Sequence, residues 1–239
     1  MDGRKFAFEY GGVSIVFYSI FGLGDAIVAR KVLEALVELA PDCLVDVVCA
    51  TEGHTAYTKA FYGDIKNLNR LIVIPEYFEH EKKYDLALGV GGCHATLVKF
   101  ANIKRLEALA PALAQSVLKI IEYNDKNFVT EESWRTYIAL RNMISAKILG
   151  KSCCEFLSCD GALPIRDNKI NIPLAPEYQS KFDELKLDKY ITIYTNISEA
   201  EKSPPKVKTW PIRYWHEYVA RMKNRFPQIE IIQCERGGY

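Results

Sequence analysis

The sequence of 239 residues contains no hydrophobic run long enough to cross a bilayer as a helix. The longest uncharged apolar stretch near the N-terminus, residues 13–24, falls well short of the ~20 residues a spanning helix needs. The opening MDGRKFAFEY lacks the basic-then-apolar layout of a secretory signal. Nor is there an excess of one charge. Lys and Arg number 31 against 30 Asp and Glu, a net +1, which gives no global reason to expect nucleic acid or an anionic membrane as partner. The seven cysteines (Cys43, Cys49, Cys93, Cys153, Cys154, Cys159, Cys234) lack CxxC spacing. Cys153, Cys154 and Cys159 form the one cluster. Its alternatives are small buried hydrophobes, the usual fate of intracellular cysteine, and a metal or redox site. Together these absences describe a cytoplasmic chain with reduced thiols.

What is present is a composition rich in core material, 49% hydrophobic and 12% aromatic. It excludes disordered, collagen-like and coiled-coil classes. Short apolar runs alternate with helical periodicity, the pattern of a parallel α/β sheet. Residues 13–20 (VSIVFYSI) read as a buried strand and 26–39 as an amphipathic helix, stopped by Pro41-Asp42. Strands follow at 44–50, 71–74 and 86–90, with a helix at 54–62. Residues 103–121 and 131–149 are helical in pattern. Residues 151–188 hold Gly161, Pro164, Pro173 and Pro176 and little periodicity beyond a short helix near 177–185, a plausible crossing between domains. A second strand–loop–helix–strand unit occupies 190–194, 212–226 and 230–233. The boundaries expected are therefore 1–186 and 187–239.

Two loops carry candidate chemistry. The first, Phe21-Gly22-Leu23-Gly24-Asp25, joins strand to helix, where ligands of doubly wound sheets bind. Gly22 and Gly24 allow close backbone approach, and a helix N-terminus favours anions. The dinucleotide fingerprint G-x-G-x-x-G would need glycine at position 27, which is Ile27, so an oxidoreductase reading is weak. Asp25 has two open roles: an N-cap of the following helix, or a general base facing a cleft. The second loop, TNISEAEKSPPKVKTW at 195–210, lies in a window (189–226) with eight Lys or Arg against three Glu. A charge run is ordinarily a solvated face. Here Lys202, Lys206 and Lys208 stand between a strand end and a helix start, where lysines and free N–H groups could hold a diphosphate. Asn196 and Ser198 could add neutral hydrogen bonds.

Taken together, the loops resemble those of the family-nine glycosyltransferases, the heptosyltransferase type that builds bacterial lipopolysaccharide cores. The resemblance rests on GLGDAIVARKVLEALVELAPDCLVDVV after a strand, YDLALGVGG at 84–92, ITIYTNIS at 191–198, and KTWPIRYWHEYV at 208–219. It implies a GT-B architecture: a Rossmann-like N-terminal acceptor domain, the first part of a second Rossmann-like domain for the sugar nucleotide, and a cleft between them. It further implies inverting, metal-independent transfer of a heptose-like sugar from a donor such as ADP-heptose, with no cofactor. Asp25 matches the family's catalytic base and Lys208 its phosphate-binding lysine, with Ser198 near the phosphates. The implied acceptor is a lipopolysaccharide core or a protein, with peripheral inner-membrane association through that acceptor.

Two departures bear on this reading. Where some members carry a lysine for an acidic acceptor, this chain has Ala95, with Lys99 shortly after. The family also continues beyond the second strand of its nucleotide domain with an Asp-x-Gly-x-x-His-like helix start, which nothing up to Tyr239 matches. The chain thus reads as one whole domain plus the opening half of another, truncated at its C-terminus. A non-catalytic sugar-binding or scaffold protein of the same fold, or an inactive fragment, is the alternative.

Overall fold

A computed structural model describes residues 5–18, 23–91, 95–131, 137–167, 169–172, 176–194 and 211–234. The chain divides into two compact units, Met1–Pro173 and Leu174–Tyr239, a division ahead of the 186/187 boundary expected from composition.

The first unit is built on five strands: β1 (Ser14–Tyr18), β2 (Leu44–Cys49), β3 (Leu68–Val73), β4 (Leu86–Gly91) and β5 (Ala95–Ala101). Their order in the sheet is β3-β2-β1-β4-β5. The first four are parallel, and β5 returns antiparallel beside β4. This is an α/β, Rossmann-like arrangement. β1 lies at its centre and every one of its residues is buried, which is why SIVFY reads as a continuous apolar run.

Alternation along β1 divides the core in two. Ile15 and Phe17 join Val45, Val47, Leu86 and Leu88 on one face. Over that face pack α1 (Leu23–Leu39), through Val32, Leu33 and Leu36, and α5 (Pro111–Lys126), through Leu113, Val117 and Ile120. Burying such side chains contributes roughly 1.5–3 kcal/mol each. Val16 and Tyr18 face the other way, towards Val48, Ala87, Leu97 and Tyr84. That second face is closed by a strap, residues 5–10, through Ala7. Asp46 of β2, wholly buried, pins the strap: its carboxylate accepts from the Ala7 N–H (2.9 Å), the Tyr84 hydroxyl (2.8 Å) and Asn69 Nδ2 (2.7 Å). Burial pushes its pKa up, against the pull of those three donors.

Among the described residues this unit also holds the α-helices α2 (Glu52–Tyr62), α3 (Ile74–His80), α4 (Ile103–Leu109), α6 (Tyr137–Leu149) and α7 (Cys153–Leu157). The single helical pattern expected over 103–121 is in fact two helices. Ala110 leaves helical geometry (φ −148°, ψ 71°), and Pro111 starts α5 without a lost hydrogen bond. α7 is tied to the sheet by Thr96, whose hydroxyl donates to the Leu157 carbonyl (2.9 Å).

The second unit holds α8 (Pro176–Asp183), β6 (Tyr190–Tyr194), α9 (Ile212–Arg225) and β7 (Glu230–Cys234). β6 and β7 pair in parallel, from Tyr190 opposite Glu230 to Tyr194 opposite Cys234. A cleft of about 540 Å³, lined by Ile193, Trp215, Val219 and Ile231 among others, opens between α9 and the strands.

Candidate functional site

The connections set the place of the site. From β1 the chain moves to β2 on one side, while β4 lies on the other, so β1 and β4 flank the switch point of the sheet. The crevice beyond their carboxyl ends is where α/β sheets bind ligands. α1 is the next described element after β1.

Asp25 is the third residue of α1, the helix that follows β1, and is half-buried. The N-cap role considered above does not hold: α1 starts at Leu23, ahead of the expected residue 26, and Asp25 lies inside its first turn. A carboxylate among the free N–H groups of a first turn is still electrostatically favoured. Gly24 is exposed beside it, and a Cβ built there would meet no atom within 4 Å. No packing demand of the fold requires glycine at this position, although glycine costs a helix roughly 0.5–1 kcal/mol relative to alanine. Gly22, Asn196, Ser198 and Lys208, like Lys202 and Lys206, lie outside the described residues.

The first turn of α1 is held from beneath by residues that local sequence patterns do not reveal. Tyr62, the last residue of α2 and 1% exposed, donates its hydroxyl to the Ala26 carbonyl at 2.6 Å. Its ring meets Phe17 of β1 edge-on at 6.4 Å. One turn further, buried Arg30 forks onto Asp64 (2.6 and 2.7 Å), reaches Glu34 (2.7 Å) and donates to the Phe61 carbonyl. This guanidinium holds the Asp64 carboxyl below its ordinary value. The turn bearing Asp25 is therefore braced against both strand and helix.

Across β4 lies Lys99. β5 pairs Val98 with Leu88 and Phe100 with Ala87, leaving Lys99 as the extra residue of a bulge. Its ammonium sits 5.1 Å from the ring centre of Tyr18, the last residue of β1. It also pairs with Glu131 (3.0 Å) and Glu81 (3.5 Å). Two carboxylates thus compensate its charge within the fold. Beyond the carboxyl end of β2, at the start of α2, Thr51 Oγ1 lies 3.2 Å from His54 Nδ1, a pair that sequence alone did not single out.

The cysteine cluster is placed elsewhere. Cys154 and Cys159 are buried, and burial pushes the Cys159 thiol up to about 12, far from a reactive thiolate. The side chain of Cys153 lies outside the described set. Among the described residues no group of three or more His, Cys, Asp or Glu is arranged to hold a metal. No described helix is long and apolar enough to cross a membrane.

No family model matches the chain, and no curated protein matches it. Among solved structures, it is similar to a glycosyl transferase of family 9 from Veillonella parvula DSM 2008, with a TM-score of 0.42 and 16% identity over 92% of this chain. It is also similar to E. coli heptosyltransferase WaaC with ADP (TM-score 0.42, 14% identity, 95% of this chain). A third is E. coli ADP-heptose lps heptosyltransferase II (TM-score 0.45, 13% identity, 92% of this chain). The chain spans 62%, 68% and 63% of the lengths of these three.

Proposed function

We propose that the protein is an inverting, metal-independent glycosyltransferase of the cytoplasm. It moves a heptose-like sugar from a nucleoside diphosphate donor, such as ADP-heptose, to a lipopolysaccharide-core or protein acceptor. The observation that carries this reading is the placement of Asp25. A half-buried carboxylate stands in the first turn of the helix that leaves the central strand, at the switch point, beside a glycine that packing does not require.

In this mechanism Asp25 accepts the proton of the acceptor hydroxyl. The freed oxygen attacks the anomeric carbon from the side opposite the leaving nucleoside diphosphate, so one displacement inverts the configuration. Lys208, aided by Ser198 and Asn196, receives the negative charge that builds on the departing diphosphate. Gly22 and Gly24 leave the backbone open to close approach by substrate.

Titration calorimetry with ADP, run beside a transfer assay, tests these assignments. Asp25→Ala should lose transfer yet keep ADP affinity, whereas Lys208→Ala should weaken ADP binding about tenfold or more, as loss of a charged hydrogen bond does. ADP binding unchanged in Lys208→Ala would overturn the phosphate assignment.

A further inference from the structure

α2 begins past the end of the sheet it covers. Through it the chain returns from Cys49, the last residue of β2, to Leu68, which pairs with Val45 near the start of that strand. The Cys49 thiol donates to Thr58 Oγ1 at 3.5 Å, so Thr58 marks the level of the carboxyl end of β2. Residues 52–57 therefore extend past that end by roughly 9 Å, at 1.5 Å per residue. This is the edge at which α/β sheets bind ligands. Each side of the helix has its own surroundings. Thr58 and Tyr62 are buried, while Glu52, Thr55 and Lys59 line a cleft shared with the edge strand β3. The opposite flank carries His54, Tyr57 and Phe61, all half-buried.

That flank lies on the side of α1, since Arg30 of α1 donates to the Phe61 carbonyl and Tyr62 to that of Ala26, the residue after Asp25. Its rings form a continuous strip, with His54 and Tyr57 centred 5.1 Å apart and Tyr57 and Phe61 6.0 Å apart. Thr51, paired with His54, adds a hydroxyl at the head of the strip. Part-exposed aromatic rings beside a few polar groups suit a sugar, whose C–H face packs on a ring while its hydroxyls exchange hydrogen bonds. Charge narrows the kind of sugar. The stretches of sequence after β1, β2, β3 and β4, residues 19–25, 50–55, 74–76 and 92–94, hold Asp25, Glu52 and Glu76 and not one of the chain's 31 Lys and Arg. Arg70 of β3 and Lys99 of β5 are engaged by carboxylates, Arg70 by Glu76 (3.2 Å) and Lys99 by Glu131 (3.0 Å) and Glu81 (3.5 Å). A carboxylate or phosphate on the ligand would meet like charge at this edge, and like charge discriminates against a partner.

We propose that the His54–Tyr57 flank of α2 selects a neutral saccharide as the acceptor. The sugar ring packs on Tyr57, its hydroxyls bond to Thr51 and His54, and the carboxylates of this edge turn acidic sugars away. The proposal rests on the glycosyl-transfer reading and narrows its acceptor to a sugar without carboxylate or phosphate beside the reacting hydroxyl. Tyr57 binds the acceptor and takes no part in moving its proton.

The test is saturation-transfer NMR of the full chain with the methyl glycosides of glucose, galactose and mannose, each beside the methyl glycoside of its uronic acid. This reads binding without turnover. At least one neutral glycoside is expected to bind, about tenfold or more tighter than its acidic counterpart. Tyr57→Ala should weaken that binding about tenfold, and Tyr57→Phe, which keeps the ring, should bind as the parent does. Glu52→Lys should narrow the gap between neutral and acidic sugars; Glu52 is exposed, so this variant tests the charge argument even if Tyr57→Ala fails to fold. Equal or tighter binding of the acidic sugars, binding of no glycoside, or unchanged binding by Tyr57→Ala would overturn the proposal, and with ADP still bound would leave glycosyl transfer standing. A parent chain that binds the glycosides but not ADP would overturn glycosyl transfer itself, and with it the role of this flank as an acceptor site.

Discussion

At the scale of single residues, the crevice is shaped by what packing does not demand as much as by what it does. Gly24 sits in a helical turn with open space where its side chain would be. Gly24→Ala should therefore stabilise the fold by about 0.5–1 kcal/mol, by removing freedom from the unfolded chain. If the open space admits substrate, the same change should lower transfer, and a urea melt read beside an assay shows whether the two effects part. Tyr62 is the opposite case. Tyr62→Phe keeps the packing against Phe17 and removes the hydroxyl's hydrogen bond to the Ala26 carbonyl. A loss of about 1–2 kcal/mol in urea unfolding is expected. Asp25 and Gly24 stand out in the sequence as candidates because strand–glycine–acid–helix is a local pattern. Tyr62 was not, because its contact with Ala26 joins positions 36 apart along the chain.

At the scale of elements, α1 and α2 are joined by the fork of Arg30 on Asp64. Asp64 is held below its ordinary value in the folded protein, so its contribution is present above the unfolded value of about 4 and lost as pH falls through the folded one. Asp64→Asn should cost about 1–2 kcal/mol near neutrality. The gap from the parent protein should close only as pH drops below about 4; a gap unchanged in acid would contradict the pairing. The parallel strands were readable because burial on both faces leaves continuous apolar runs, as in VSIVFYSI. β5 was not read. Its bulge at Lys99 breaks the two-residue period, so ATLVKFA shows neither a clean alternation nor an apolar run. The break between α4 and α5 had a signal, Pro111 and the restriction it places on Ala110, that the helical periodicity on either side concealed.

At the scale of the whole molecule the two units differ in how much each can bury. The first has five strands with both faces covered. Among its described residues the second has two strands and leaves Tyr190, Phe182 and Leu185 exposed. Residues 1–173 alone should therefore unfold cooperatively in urea. Residues 174–239 alone should give no sharp transition, since two-stranded sheets are marginal in water. The candidate phosphate loop rests on the charge excess of residues 189–226 over the whole chain, and residues 195–210 lie outside the described structure. The proposed transfer depends on Asp25 as the group that takes the acceptor's proton. Its most direct measurement is the turnover of Asp25→Asn, a change that keeps shape and removes basicity, with donor saturating. A fall of about 10²–10⁴-fold in kcat with donor affinity nearly unchanged is expected; turnover equal to that of the parent protein would contradict the role of Asp25.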